Sequence, residues 1–464
     1  MLSGYLFPAI KTFLYSYINR LLFKLTAKEQ IIFHYSNGIA KYMVTFVRKN
    51  LRMKITRFLL LVLLTACSLQ GEAQKPNFSY RFYGQVRGDL FYNSRANAEI
   101  VDGLFHLYPK DRLPDADGQD LNAQANGSFY LLYSRLGLDI QGPNIGSAKS
   151  SLKVETDFRG SGSNWATLRI RHAYVNLDWG TSALLVGQTW HPLFGEVFPQ
   201  ILNLSTGAPF QPFNRSPQIR YSYNRSNWKL TAVALWQLQY LSNGPNGKSE
   251  EYIKNSGVPE LYAGIDYKQN HWQVGGGLEM LSLVPRTQVT VTEAEQTHIY
   301  KVKERITTLS GELHAKYTDE NWFVAGKTLL NSNLTQTCSL GGYGVTAIDA
   351  RTGEQQYATY RFTQSWLNIV YGKRWKPGVL VGYLKNLGAN KALVGKSYGT
   401  GLDVDQVFTA NLQLSYNLPN WKVGFEYSPS WAWYGTADKQ DGGRIHDTHS
   451  ICNHRVLGVL IYQF

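Results

Sequence analysis

Charged and apolar side chains alternate one by one through several stretches of this sequence. In residues 152–159 the charged positions are Lys153, Glu155, Asp157 and Arg159. Successive side chains of a β-strand point to opposite faces, so this pattern predicts strands with one charged and one apolar face. Charged faces that enclose water can attract, hold or reject ions, and this is the chemistry that these residues allow.

Arginine is concentrated in the early part of this alternating pattern. A row of guanidinium groups across a narrow, poorly solvated passage raises the local concentration of anions and rejects cations. Pairing with nearby Glu and Asp would instead give a polarised wall without net preference, so both interpretations stay open. The alternation slips near His172, which indicates a β-bulge. The candidate ion-contacting residues are Arg81, Arg87, Arg135, Asp139, Lys153, Glu155, Asp157, Arg159, Arg169, Arg171, His191, Glu196, Arg215 and Arg220.

Two other groups of residues are weaker candidates for chemistry. The acidic segment 115–120 has oxygen ligands for Ca²⁺, but its spacing is not that of an EF-hand, and a solvated loop is the expected structure. Three histidines and a cysteine lie between residues 446 and 454, but His449 has the opposite strand parity to the others. We predict no metal site and no cofactor. We also predict no enzyme, because no nucleophile–His–acid set converges by spacing.

The connections between the alternating segments are more informative than the alternation, which a soluble β-sandwich would also show. After residue 128 they switch regularly between short and long. The short connections lie near 143–149, 179–182, 224–227, 268–271, 318–321, 372–378 and 417–420. The others lie near 94–127, 160–165, 190–216, 241–259, 283–299, 332–357, 386–404 and 434–447. This order predicts an all-β fold, a transmembrane antiparallel β-barrel of 16 strands with short periplasmic turns and mostly long outer loops.

The short connections contain a repeat in which Tyr ends one strand and Trp begins the next. Aromatic rings with one polar edge settle at the membrane–water interface, so the repeat indicates an aromatic girdle at the periplasmic end. Tyr371 and Trp375 form a near-copy of it. The girdle residues are Tyr223, Trp228, Tyr267, Trp272, Tyr317, Trp322, Tyr416 and Trp421.

The chain stops on Phe464, at the end of a final alternating segment. An open sheet edge in hydrocarbon leaves backbone groups without hydrogen-bond partners, so the last strand must pair with the first. A terminal Phe on such a strand is typical of an assembly signal, and we expect the barrel assembly machinery as a partner.

The third outer loop, from Trp190 to Pro217, is rich in Pro and Phe rather than in Ser, Asp and Gly. Such a loop needs an apolar surface, so we expect it to fold into the barrel as a constriction. Packing over the barrel mouth or against a neighbouring subunit is the alternative.

The N-terminal region has the features of an export signal. Residues 53–73 have a basic start, a Leu/Val-rich centre and a final Ala73, and we assign them as a signal peptide. Residues 1–52 are then expected to be an upstream extension translated from an early start codon, and 74–464 the barrel domain. Acylation at Cys67 is an alternative to ordinary cleavage. The net charge falls from +14 to +6 without residues 1–73, which gives no reason to expect nucleic acid.

Five segments between residues 128 and 240 occur in a characteristic order. They are Ser134-Arg135-Leu-Gly-Leu, Lys153-Val-Glu155-Thr-Asp157-Phe, Leu168-Arg169-Ile-Arg171-His172-Ala-Tyr174, Gly187-Gln188-Thr189-Trp190 and Ser216-Pro-Gln218-Ile-Arg220-Tyr221. Together they resemble the DcaP-like porins, which are trimeric outer-membrane channels associated with small carboxylates. The resemblance implies a homotrimer, an inward third loop and arginines near the narrowest point.

The sequence therefore predicts a channel in the outer membrane of a Gram-negative bacterium, for passive diffusion of small hydrophilic solutes such as small anions or carboxylates. Sixteen strands leave an aqueous interior rather than a packed core, and the apolar outer faces contact outer-membrane lipids. Two alternatives belong to other classes. One is a barrel enzyme that acts on lipids, and the other is a ligand receptor whose loops plug the barrel.

Overall fold

A computed structural model describes residues 78–464 of the protein, except residues 102, 104, 160–166 and 294. The assigned extension, the signal peptide and the short second loop near 160–165 lie outside the described residues, as does the side chain of Arg159. In the described part of the chain, no helix is long and apolar enough to cross a membrane.

Sixteen strands form one closed antiparallel barrel. They are β1 (Ser79–Asn93), β2 (Asn126–Tyr130 continued by Arg135–Gln141), β3 (Lys149–Arg159), β4 (Thr167–Asp178), β5 (Ser182–Trp190), β6 (Arg215–Arg225), β7 (Trp228–Leu235), β8 (Glu260–Gln269), β9 (Trp272–Leu283), β10 (Ile306–Thr318), β11 (Trp322–Ser332), β12 (Gln355–Tyr371), β13 (Trp375–Gly388), β14 (Val404–Asn417), β15 (Trp421–Asp438) and β16 (Arg444–Gln463). The predicted strand number and the alternation of turns and loops are confirmed.

The outer loops L1 to L8, which follow the odd-numbered strands, contain short elements of their own. The elements are Asn97–Ile100 and Phe105–Pro109 in L1, Asn243–Gly244, Gly247–Lys248 and the helix α1 (Glu251–Ser256) in L4, Gln288–Glu293 and Gln296–Lys301 in L5, the 3-10 helix Thr335–Thr337 and Gly341–Ile348 in L6, and Ser397–Thr400 in L7. L8 is shorter than the predicted 434–447, because pairing continues up to Asp438 and Arg444.

The seam between β1 and β16 closes the barrel. Their register runs from Asn93 opposite Arg455 to Gln85 opposite Gln463. Beyond it, the backbone N–H of Gly84 donates to the Phe464 carbonyl at 3.0 Å, and the Phe464 N–H donates back at 3.1 Å. Closure gives every strand two neighbours, as the absence of water in hydrocarbon requires.

Two irregularities alter the early strands. On β4, Glu155 faces His172 but Thr156 faces Ile170, so Arg171 is an additional residue. This is the bulge that the slip near His172 predicts. The second irregularity was not predicted: β2 is interrupted from Leu131 to Ser134.

The interruption of β2 keeps its backbone groups hydrogen-bonded. The Ser134 hydroxyl accepts the Arg87 N–H at 3.1 Å, and the Gln85 amide donates to the Tyr133 carbonyl at 3.2 Å. These two side chains thus replace backbone hydrogen bonds between β1 and β2 that the interruption removes.

The aromatic repeat forms cross-strand pairs at the turn end of the barrel. Each Trp packs on the Tyr of the neighbouring hairpin, rather than on the Tyr of its own turn. Ring centroids lie 4.7–5.0 Å apart in five pairs, which are Trp228–Tyr267, Trp272–Tyr317, Trp322–Tyr371, Trp375–Tyr416 and Trp421–Tyr462. The repeat therefore joins successive hairpins to one another as well as marking one end of the barrel.

The seam generates a stability prediction. A Cβ atom on Gly84 would lie 2.5 Å from the Phe464 ring and 2.7 Å from the Arg135 carbonyl oxygen. Gly84→Ala should lower the free energy of unfolding by about 1–3 kcal/mol, the usual cost of overpacking. Denaturant unfolding of the refolded protein in detergent micelles measures this change.

Gly458→Ala on β16 is the matched control, because its Cβ would approach no closer than 3.9 Å to the Leu90 carbonyl oxygen. Equal losses in the two variants would show that the contact between Gly84 and Phe464 does not matter for closure.

Candidate functional site in the barrel interior

The third loop, L3 (residues 191–214), lies inside the barrel and is fixed to the opposite wall. The Glu426 carboxylate on β15 accepts the backbone N–H groups of Leu202 at 2.8 Å and Asn203 at 3.0 Å. Arg87 on β1 donates to the Leu202 carbonyl at 2.5 Å. The inward third loop is confirmed, and an anion and a cation hold its tip from two sides.

Polar side chains of other strands bind L3 along its length. Lys327 on β11 donates to the Leu193 carbonyl at 2.5 Å, and the Trp366 indole on β12 donates to the Gln211 side chain at 2.8 Å. These contacts satisfy loop groups that have lost water, which is the condition for burying a loop.

The inner faces of β12 to β16 supply the apolar surface that L3 needs. The L3 residues of this core are Phe194, Val197, Leu204, Ala208, Phe210 and Phe213, and the wall residues include Phe362, Trp366, Leu380, Leu384, Val404, Val407, Ala432 and Ile451. This half of the interior is therefore packed with side chains rather than filled with water.

Four more loops reach into the barrel, which was not predicted. Phe105 and Tyr108 of L1, Tyr240 of L4, Leu340 of L6 and Leu393 of L7 are buried in the same core as L3. L3 also bonds to L6 directly, since the Phe213 N–H donates to the Thr337 carbonyl at 2.7 Å. The apolar run from Phe105 to Tyr108 is a sequence signal that could have indicated the entry of L1.

Five arginines meet on the other side of the interior and form what we call the arginine cluster. They are Arg87, Arg135, Arg169, Arg171 and Arg215. Arg220 borders the cluster: it donates to the Trp190 carbonyl at 2.6 Å, and Glu196 is the carboxylate that acts on it electrostatically. Asp157 joins two of them, accepting from Arg169 at 2.7 and 2.8 Å and from Arg171 at 2.7 Å. Glu155 accepts from Arg171 at 2.6 Å. The alternating charges of β3 therefore meet those of β4 directly.

Aromatic rings separate the guanidinium groups of the cluster. Tyr133, carried inward by the interruption of β2, has Arg135 at 4.9 Å, Arg171 at 5.1 Å and Arg87 at 6.0 Å from its ring centroid. Trp190 has Arg215 at 4.8 Å from its ring. A ring face attracts a cation, so these contacts offset part of the repulsion between like charges. Tyr133 was not among the predicted site residues.

Positive charge is in excess in the cluster. Its carboxylates are Glu155, Asp157 and Asp89, the last paired with Arg87 at 2.7 Å. Within the described ranges, Arg135, Arg215 and Arg220 form no ion pair with a carboxylate. The Nε and Nη1 atoms of Arg215 and the Nε atom of Arg135 are buried without a hydrogen-bond partner. The structure thus has more donors here than its own acceptors satisfy.

Three predicted residues lie nearer the turn end than the cluster. Arg81 pairs with Asp139 at 2.6 Å, and Lys153 pairs with the same carboxylate at 2.7 Å. They border a cavity of about 410 Å³ at the turn end, which we call the inner cavity.

His191 and Glu196 are apart from the cluster. His191 is buried and lies 2.5 Å from a Glu260 carboxylate oxygen on β8. Glu196 accepts from Lys229 and from Lys268, each at 2.5 Å. Burial alone would raise the pKa of Glu196, but the two ammonium groups outweigh it and lower the pKa to about 2. Both residues attach L3 to the wall of β7 and β8.

The weaker candidates have structural partners. Asp115 accepts the backbone N–H groups of Asp117 and Gln119, and Asp120 accepts those of Leu113 and Asn122. His449 pairs with Asp111 at 2.6 Å. In the part of the chain that the structure describes, no three His, Cys, Asp or Glu side chains come together as metal ligands.

Comparison with known proteins identifies the architecture. No protein-family model matches the chain, and no curated protein matches it. The outer-membrane channel DcaP of Acinetobacter baumannii is similar in structure, with 19% identity, a TM-score of 0.59, and coverage of 83% of this chain and 97% of that one. In-vitro folded OmpT, an outer membrane protein of Vibrio cholerae, has 12% identity, a TM-score of 0.50, and coverage of 85% and 100%. The chain thus has the fold of an outer-membrane β-barrel.

The attachment of the L3 tip can be tested by removing its acceptor. Glu426→Ala leaves the N–H groups of Leu202 and Asn203 buried without a partner. The free energy of unfolding should fall by about 2–6 kcal/mol, because each of the two buried unsatisfied groups costs roughly 1–3 kcal/mol. Thermal or denaturant unfolding in detergent micelles measures it.

Glu320→Ala is the control, since Glu320 is exposed in a turn and pairs only with Lys373. It should leave the transition nearly unchanged. A similar loss in both variants would contradict the role of Glu426 in holding L3.

Proposed function

We propose that this barrel is a channel for passive diffusion of small hydrophilic solutes across the outer membrane, with a mild preference for anions. A barrel of this size has room for water where its wall is polar. The polar wall here is that of β1 to β6, because L3 and L1 cover the opposite wall and Leu193 of L3 packs on Val233 and Leu235 of β7. The similarity to a solved outer-membrane channel supports the proposal at the level of fold.

The excess of guanidinium groups in the arginine cluster is the observation that carries the anion preference. A charge that has lost part of its hydration acts over a longer range than one in bulk water. A cation that approaches Arg135, Arg215 and Arg220 is repelled by guanidinium groups that form no direct ion pair with a carboxylate in the described structure. A small anion is attracted and satisfies their free donors.

The arginine cluster separates two cavities along the wall of β3 and β4. Arg169 lines a cavity of about 210 Å³ at the loop end, the outer cavity, and Tyr174 lines the inner cavity. Arg171 lies between them on β4 and is 2% exposed, and Arg215 is 0% exposed. We propose that solutes follow this wall and that the rings of Tyr133 and Trp190 move aside to let them pass.

The low exposure of the cluster also favours a second candidate, a ligand receptor with a barrel plugged by its loops. Such a receptor would bind its ligand tightly at the cluster without passing ions. Conductance separates the two functions. Neither of them includes catalysis.

We further propose a homotrimer in which the sector of β1 to β5 contacts the neighbouring subunits. The Trp–Tyr pairs lie on strands β7 to β16. At the turn end of the early strands, the corresponding cross-strand partners are Ser150 with Leu177 and Ser182 with Tyr223, so no Trp–Tyr pair forms there. Outward side chains of this sector, such as Val154 and Ile170, are apolar and exposed. An apolar outer face that lacks these cross-strand Trp–Tyr pairs is suited to contact with a protein partner. Tyr80 and Trp179 are the exposed tyrosine and tryptophan at its turn end.

The anion preference can be measured as a reversal potential under a KCl gradient in planar bilayers. Exchanging Arg135 and Arg220 together for Glu should change the permeability ratio severalfold toward the cation, because the sign of the local field reverses. Arg351→Glu, in L6 and exposed, should leave the ratio unchanged. An unchanged ratio in the double variant would reject the role of these arginines, and the absence of conductance in the parent protein would reject the channel.

The subunit contact can be tested by placing a carboxylate in each of two apolar outer faces. Val154→Glu in the sector of β1 to β5 should yield folded monomers, while Val423→Glu on β15 should leave the trimer intact. Mass measurement of the folded protein in detergent shows the difference. A monomeric parent protein, or a trimer that survives Val154→Glu, would contradict this assignment.

A further inference from the structure

The outer face of β7 to β12 contains an open groove of about 890 Å³, which we call the lateral groove. It lies outside the proposed subunit contact of β1 to β5, so lipid is the medium that covers it. Its exposed side chains are mostly large and apolar, and they include Trp228, Ile265, Val274, Leu278, Leu313 and Leu330. A groove with apolar walls can contact an acyl chain on more than one side, which a flat face cannot.

Besides its two interfacial rings, the lateral groove is lined by three polar residues. The Thr328 hydroxyl bonds to the Ser365 hydroxyl at 2.8 Å. The Glu312 carboxylate faces the barrel interior, where it pairs with Lys327 at 2.8 Å. Thr363 lies at the loop end of the groove, opposite Leu330. The middle of the groove therefore presents an apolar surface to the membrane.

Two outward glycines form part of the floor of the lateral groove. They are Gly276 on β9 and Gly311 on β10, and the register of both strands is continuous, so no bulge requires them. Glycine within a strand lowers its stability and often marks a place where a ligand comes close to the backbone. The nearest side chains are flexible ends, that of Leu313 at 2.9 Å from the Cβ position of Gly276 and that of Leu278 at 3.3 Å from that of Gly311. The glycines thus leave space outside the wall that the protein itself does not fill.

A free cation lies at the turn end of the groove. Arg225 on β6 is the cross-strand partner of Trp228, so both side chains lie on the outer face, and Trp228 packs on Tyr267, which also lines the groove. In the part of the chain that the structure describes, the Arg225 guanidinium forms no ion pair and no hydrogen bond. At the same place in the aromatic repeat, three residues before the Trp, the other turns have Gln269, Asp319, Gly372 and Leu418. Aromatic rings settle at the interface where lipid phosphates lie, so Arg225 is placed to bind a phosphate through two parallel N–H···O bonds.

We propose that the lateral groove is a binding site for a glycerophospholipid of the periplasmic leaflet. Arg225 binds the phosphate of this lipid, and the ring of Trp228 lies beside its glycerol and ester groups. One acyl chain runs along the groove past Ile265, Leu278 and Leu313. A peptide would gain no backbone pairing here, because the closed sheet has no free strand edge. The inference does not depend on whether the barrel conducts ions.

Phosphatidylglycerol and diacylglycerol with the same acyl chains are suitable probes, because they differ in the phosphate-containing headgroup. Native mass spectrometry of the full protein, released from detergent micelles, counts the bound lipids at each lipid concentration. Phosphatidylglycerol should bind saturably, with one tightly bound molecule per chain. Diacylglycerol should bind at least about tenfold more weakly, because a charge-assisted contact is lost.

Two variants test the two parts of the site separately. Arg225→Glu repels the phosphate, and Gly311→Leu fills the floor of the groove, so each should raise the Kd for phosphatidylglycerol by about tenfold or more. Arg225→Glu should leave the binding of diacylglycerol unchanged, whereas Gly311→Leu should weaken it as well.

Arg374→Glu and Gly458→Leu are the matched controls. Arg374 is an exposed cation in the turn before Trp375 and does not line the lateral groove. Gly458 is an outward glycine on β16, and the nearest atom to its Cβ position is the Leu90 carbonyl oxygen at 3.9 Å. Both variants should leave the Kd for phosphatidylglycerol unchanged.

Other occupants of the groove give different results. Arg361 lies two residues beyond Thr363, at the loop end of β12. Loss of binding in Arg361→Glu but not in Arg225→Glu would assign the groove to a lipid of the outer leaflet. Dissociation of a trimer by Gly311→Leu would assign it to a neighbouring subunit. Either result overturns the inference.

The outcomes also separate the lipid site from the proposed channel. Equal binding of the two lipids, or a Kd that neither Arg225→Glu nor Gly311→Leu changes, overturns the site and leaves the channel untouched. Phospholipid binding that follows the predicted variants in a protein without conductance supports the site and rejects the channel.

Discussion

The structure depends on the need of every backbone N–H and C=O group in a membrane to find a partner within the protein. The chain meets this need by closing the sheet, with Phe464 bonded to Gly84 at the seam. Closure creates an interior that is wide enough for both water and inward-folded loops. The alternation of side chains then decides what faces the interior and what faces lipid. Even the interruption of β2 obeys the constraint, since Ser134 and Gln85 supply the bonds that the ladder loses.

Two different kinds of interaction, apolar burial and charge pairing, stabilise the two halves of the interior. On the side of β12 to β16, apolar wall residues bury the Phe-rich L3 together with parts of L1 and L6, and the hydrophobic effect holds the loops in place. On the side of β1 to β6, charge dominates, and a surplus of guanidinium groups is held by the carboxylates of Asp89, Glu155 and Asp157 and by aromatic rings. Because of this division, L3 packs into the apolar core on one side and borders the arginine cluster on the other. Glu426 and Arg87 fix L3 where the two halves meet.

Much of the fold could be predicted because its signals are local. The twofold alternation, the change between short and long connections and the Tyr–Trp repeat each need only a few neighbouring residues. The bulge at Arg171 also follows from a local slip in the pattern. The interruption that turns Tyr133 inward, the entry of L1 and L6, and the separation of His191 and Glu196 from the cluster depend on contacts between distant segments. The pairing of each Trp with a Tyr of the next hairpin likewise requires the register of the closed sheet.

One face of each strand meets acyl chains, and the other faces the protein interior. This arrangement is tested directly by the collision of oxygen with nitroxide labels, placed one at a time along residues 309–315 of β10. The labelled variants are made in a background without reactive cysteines and are measured in lipid vesicles. The collision rate should vary with a period of two, with high values at the outward Leu309, Leu313 and Ala315 and low values at the inward Ser310, Glu312 and His314. Uniform rates along the strand, or a maximum at the inward positions, would contradict it.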